Sequence, residues 1–118
     1  MNDRLEWCQY GSGSGMDAWS VDLGTGQWEL TMRKRPRFAG VFAPDTLLSF
    51  RALASRILPE DAHATGLNTS SSGPQELRVT LGGALLVIDG EEGASFSDRP
   101  EALSRAVFEA MTLQADIR

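Results

Sequence analysis

Apolar and polar positions alternate with period two in two stretches of this chain, and each stretch turns on glycine. In the first, Trp19, Val21 and Leu23 alternate with Ser20 and Asp22; after Gly24-Thr25-Gly26-Gln27, Trp28, Leu30 and Met32 alternate with Glu29 and Thr31. Folding about Thr25-Gly26 sets Leu23 opposite Trp28, Val21 opposite Leu30 and Trp19 opposite Met32, all on one face of a half-buried hairpin. In the second, Glu76 to Leu81 and Ala84 to Asp89 flank Gly82-Gly83. Both glycines accept positive φ, so a two-residue turn pairs Leu81 with Ala84, Val79 with Leu86 and Leu77 with Ile88. The opposite face pairs Thr80 with Leu85 and Arg78 with Val87. The strand 84–88 is apolar on both faces, which places it centrally in a sheet.

Helical periodicity follows each hairpin. From Asp45 to Leu58, Leu47, Phe50, Leu53, Ala54 and Ile57 form an apolar stripe, and Pro59 ends it. A second helix starts at Asp98, with Asp98 and Glu101 spaced as a capping box and Pro100 in the first turn. Its inward stripe is Leu103, Ala106, Val107, Ala110 and Met111, while Arg99, Arg105 and Glu109 face water. The order ββα–ββα predicts an α+β domain, a four-stranded antiparallel sheet with two helices packed on one face. A β-grasp-like roll is the alternative with the same order of elements.

Ahead of these elements, residues 11–15 read Gly-Ser-Gly-Ser-Gly and are followed by Met16. Alternating Gly and Ser is the composition of an engineered flexible linker, and Met16 reads as a second start. The chain then divides into an appended peptide at 1–10, a linker at 11–15 and a single globular domain at 16–118. Five such residues span about 12 Å on average and about 17 Å at full stretch, so the peptide docks near the first strand of the domain. A tether this short raises its effective concentration to about the millimolar range. Docking on a neighbouring molecule instead would build a swapped homodimer.

Composition narrows the classes. A domain of about 103 residues holds one core. The net charge of −5 argues against general nucleic-acid binding, which needs phosphate neutralisation. No stretch is long and apolar enough to span a bilayer, and Met1 leads into Asn2, Asp3 and Arg4 without the apolar run of a signal peptide. The single cysteine, Cys8, lies in the 1–10 segment, so the domain has no disulfide or thiolate metal site of its own, and a cytoplasmic setting is expected.

Two segments of the domain are candidates for function. In Arg33 to Phe42, four of the eleven basic residues cluster as Arg33, Lys34, Arg35 and Arg37, Pro36 stiffens the chain, and Phe38, Val41 and Phe42 follow. Arg35, Arg37, Phe38, Val41 and Phe42 are the expected peptide-binding residues: an anion-attracting rim beside an apolar wall. The segment Asn2–Tyr10 supplies Asp3 and Glu6 for the rim and Leu5, Trp7 and Tyr10 as anchors. Leu5 and Trp7 point the same way in an extended chain and diverge on a helix, so the peptide is expected to add as a strand to a sheet edge and to bury Trp7, with a helix laid in a groove as the alternative. The second segment, Pro59 to Gln75, has little periodicity and reads as a mobile linker through Ser70-Ser71-Ser72-Gly73.

No catalytic or metal constellation emerges. His63 stands alone, Gly24-Thr25-Gly26 opens no helix, and Asp89, Glu91 and Glu92 sit in a turn-like context. The expectation is therefore a small non-catalytic module, without cofactor or metal, that binds a short peptide segment of a partner protein as an adaptor or chaperone-like targeting subunit. An enzyme inhibitor or immunity-type protein that blocks a partner's active site is the alternative, with NDRLEWCQY a fragment of its target.

Overall fold

The computed structural model of the chain describes residues 3–10, 16–32, 35–58, 75–90 and 98–116. Their elements run β1 (Arg4–Tyr10), β2 (Met16–Asp22), β3 (Gln27–Thr31), β4 (Phe38–Val41), α1 (Pro44–Ser55), β5 (Gln75–Leu81), β6 (Ala84–Gly90) and α2 (Asp98–Ala115). The strands form one six-stranded sheet in the order β4-β3-β2-β1-β5-β6, every neighbouring pair antiparallel. The expected α+β class and two helices are present. The four-stranded sheet is corrected to six strands, because the 4–10 segment and the chain around Gly40 each add one, and the order of elements differs from that expected.

Each hairpin follows its turn chemistry. Gly82 and Gly83 have φ of +57° and +83°, and the ladder from Leu81↔Ala84 to Leu77↔Ile88 has the register that the two-glycine turn dictates. The first hairpin is shifted: Val21 pairs with Trp28 and Trp19 with Leu30. Asp22 causes the shift. Its Oδ1 accepts the Gly24 and Thr25 N–H groups at 2.8 and 3.1 Å, and its carbonyl accepts the Gly26 N–H at 2.7 Å. These bonds take Leu23 out of the strand into a longer turn. A slip of two residues preserves the face, so Trp19, Val21, Trp28 and Leu30 remain buried.

One core lies between one sheet face and both helices. It joins Leu5, Val21, Leu30, Leu77, Val79 and Ile88 to Leu47, Phe50 and Ala54 of α1 and Leu103, Val107 and Met111 of α2. The helical stripes therefore match the expected positions, although α1 ends at Ser55, where the Arg56 and Ile57 N–H groups close the last turn on Leu53 and Ala54.

Beneath β4 the packing is close. Trp28 stacks on Phe42 with centroids 5.5 Å apart, and Phe42 meets Phe50 edge-on at 5.2 Å. Trp28 Nε1 donates to Gln114 Oε1 at 2.7 Å, and Gln114 Nε2 donates to the Val41 carbonyl at 3.1 Å. A Cβ on Gly40 would lie 2.8 Å from the Trp28 ring and nearer still to the Gln114 amide oxygen. Gly40→Ala is therefore expected to lower stability by about 1–3 kcal/mol through overpacking, read by urea denaturation.

Candidate functional site

The 4–10 segment is the element that most shapes the molecule. Its sequence alternates Leu5, Trp7 and Gln9 with Arg4, Glu6 and Cys8, a period-two pattern that makes it a strand. It is extended, as expected for the tethered peptide, but it does not add to a sheet edge. It fills a slot between the two hairpins, pairing antiparallel with β2 from Arg4↔Asp22 to Tyr10↔Met16 and with β5 from Arg4↔Thr80 to Gln9↔Gln75. Without it the sheet would divide into β4-β3-β2 and β5-β6.

Both faces of β1 have distinct surroundings. Leu5 is completely buried (0% exposed) beside Val21 and Val79. Trp7 is half-buried, stacks on Trp19 at 6.3 Å and donates its Nε1 hydrogen to Gln75 Oε1 at 3.2 Å. Tyr10 pairs with Met16 in the ladder; its side chain lies outside the described residues.

Asp3 fastens the segment at its start. Its carboxylate accepts hydrogen bonds from the Arg51 guanidinium of α1 and, at 2.9 Å, from the Gly82 N–H of the second turn. Its carbonyl accepts the Leu23 N–H at 3.0 Å, and Arg51 also donates to the Leu23 carbonyl at 3.2 Å. One residue thus ties both hairpin turns to a helix. The Arg51 hydrogen bond, followed by that from Gly82, holds the Asp3 carboxyl below its ordinary pKa. A carboxyl with a depressed folded pKa contributes stability above its unfolded pKa and loses it as pH falls toward the folded value. Stability is therefore expected to fall on acidification below about pH 4, and Asp3→Asn to flatten that limb while lowering stability at neutral pH. Denaturation midpoints of both proteins across a pH series read this out; parallel curves would remove Asp3 from the account.

The expected peptide-binding residues lie elsewhere. β4 is at the far rim of the sheet, separated from β1 by β3 and β2. Arg37 pairs with Glu29 at 3.1 Å, Arg35 is exposed and its N–H bonds the Met32 carbonyl at 3.2 Å, and Asp3 and Glu6 instead meet Arg51 and Arg4. Phe38 is half-buried against the core, Val41 is 58% exposed and Phe42 is 4% exposed. The residues that flank Leu5 and Trp7 in the sheet come instead from β2 and β5. The run held no signal separating a surface aromatic from a core one: Phe42 is drawn inward by Trp28 and Phe50, residues distant in sequence. Arg33, Lys34, the 59–74 part of the predicted mobile linker, His63, Glu91 and Glu92 lie outside the described residues.

The sheet face opposite the helices is not covered by any described residue. Cys8, Ala18 and Ser20 floor a hollow of about 380 Å³ there, rimmed by the Glu29–Arg37 pair and by Glu76–Arg78, whose nitrogen and oxygen lie 2.6 Å apart. The Glu76 hydrogen bond, followed by its charge, raises the Arg78 pKa and keeps it a cation. A second hollow of about 510 Å³, lined by Arg4, Asp22, Gln27 and Val41 among others, adjoins it. Small side chains over two adjacent strands, β1 and β2, explain the depression; they escaped sequence reading because Cys8 and Ala18 become neighbours only once β1 pairs with β2.

Among the described residues no three His, Cys, Asp or Glu side chains are grouped to hold a metal ion, and no helix is long and apolar enough to cross a membrane. Compared with protein families and with characterised proteins, the chain matches none.

Proposed function

We propose that residues 16–118 form a non-catalytic peptide-recognition module, and that Asn2–Tyr10 represents the segment of a partner protein that it takes up. The observation that carries this reading is the slot: two hairpins present facing strands, β2 and β5, and a short strand joined to them through residues 11–15 completes both ladders. This is recognition by strand addition. Main-chain hydrogen bonds supply affinity, and the burial of Leu5 with the Trp7–Trp19 stack supplies selectivity. The Asp3 contacts to Arg51 and Gly82 set the register, since a shift of one residue would turn Leu5 to the open face. A chaperone-like or adaptor role suits a protein that holds a partner's segment as a strand. A sequence whose single cysteine, Cys8, has no second thiol to pair with suits a reducing, cytoplasmic compartment.

The test cuts the connection rather than the domain. A protease site placed within residues 11–15 of the full chain is cleaved after folding, and labelled Asn2–Tyr10 peptide is added. Exchange of the segment with the remainder still folded, followed by anisotropy and circular dichroism, is the expected result. Unfolding of the remainder as the segment leaves, or no exchange short of global unfolding, would make β1 an integral strand and end this reading.

A further inference from the structure

The strand β6 reads Ala-Leu-Leu-Val-Ile-Asp-Gly, with apolar side chains on both faces, a pattern that belongs inside a sheet. The structure puts it at the rim instead. It pairs with β5 along its length, and among the described residues nothing pairs with its other side. Alternation from the closing pair Leu81↔Ala84 directs the N–H and C=O groups of Leu85 and Val87 away from β5. Leu85 is 50% exposed there.

The opposite rim is protected in the ways edge strands usually are. β4 has four residues, Pro36 and Arg37 precede it, and Gln114 occupies the Val41 carbonyl. β6 has seven residues and no proline, lysine or arginine.

We propose that β6 is a homodimer edge, on which the β6 of a second copy of this chain pairs antiparallel to join the two sheets into one. Self-complementarity of the strand selects this occupant. A two-fold axis at Val87 uses all seven residues: Val87 faces its own copy, Leu86 faces Ile88, Leu85 faces Asp89 and Ala84 faces Gly90. The residues directed outward at 85 and 87 fall into hydrogen-bonded pairs in this register. The Leu86–Ile88 pairs continue the helix-side core, and the Val87 pair lies on the open face. The only charged residue of the strand, Asp89, meets Leu85 rather than its own copy, so no like charges are opposed. Pairing with the protected β4 rim would be heterologous and would leave open ends. β6 holds the rim of the sheet whether β1 is a ligand or an integral strand.

Sedimentation of the full chain over a concentration series tests it, with a monomer–dimer equilibrium expected. Val87→Pro removes an outward N–H and leaves the β5 ladder intact, so it is expected to weaken the dimer about tenfold or more with an unchanged circular dichroism spectrum. A positive readout guards against misfolding. In a Cys8→Ser background, Val87→Cys brings two thiols together across the axis, where opposed Cα atoms of a hydrogen-bonded pair lie about 5.5 Å apart, within disulfide reach. It is expected to form a cross-linked dimer faster than Leu48→Cys, on the exposed face of α1, under mild oxidation. A wild type monomeric at every concentration, a dimer indifferent to Val87→Pro, or equal cross-linking of the two cysteine variants would overturn the proposal. The last result would assign the edge to another occupant.

Discussion

Leu5→Ala is expected to lower the unfolding free energy by about 2–5 kcal/mol, read as a lower urea midpoint with an unchanged slope. Leu5 is wholly buried in the centre of the sheet, with Val21 and Val79 on either side, so the deleted methyl groups leave a cavity that neighbours on the two flanking strands cannot fill. A domain of this size has about 5–15 kcal/mol in total, so the loss is a large share. Glu6→Ala, on the open face of the same strand, is the matched control. Its exposed pair with Arg4, 3.8 Å apart, contributes about 0–1 kcal/mol. Equal effects from the two substitutions would mean that β1 does not dock through its apolar face.

Phe42→Ala is expected to cost about 3–5 kcal/mol of stability, whereas Arg37→Ala costs at most about 1 kcal/mol. Phe42 joins Trp28 to Phe50 in an aromatic cluster shielded from water, while the Arg37–Glu29 pair is exposed on both sides and screened. Phe42 thus counts as core, and thermal melts of the full chain without added peptide check it. A Phe42→Ala protein as stable as wild type would return the residue to the surface.

Local pattern was sufficient wherever the contact partners are close in sequence. The Gly82-Gly83 turn sets the second hairpin's ladder because two positive φ values admit one short turn geometry. The stripes of α1 and α2 follow from a 3.6-residue period and both face the core. The first hairpin shows the limit of this reasoning: alternation settles which side chains share a face, but the Asp22 side chain decides how many residues the turn takes, and the register moves by two.

By itself, then, the sequence determined the α+β class, both helices, the buried face of each hairpin and the extended form of residues 4–10, since each depends on periodicity and turn chemistry within a short window. Tertiary structure decided which strands are neighbours. The place of β1 between β2 and β5, the rim position of β6 despite its apolar faces, and the core position of Phe42 all depend on partners far along the chain. Hydrophobic pattern reports how much surface a strand must bury but not what buries it, and the backbone hydrogen bonds that order strands in a sheet carry no side-chain signature.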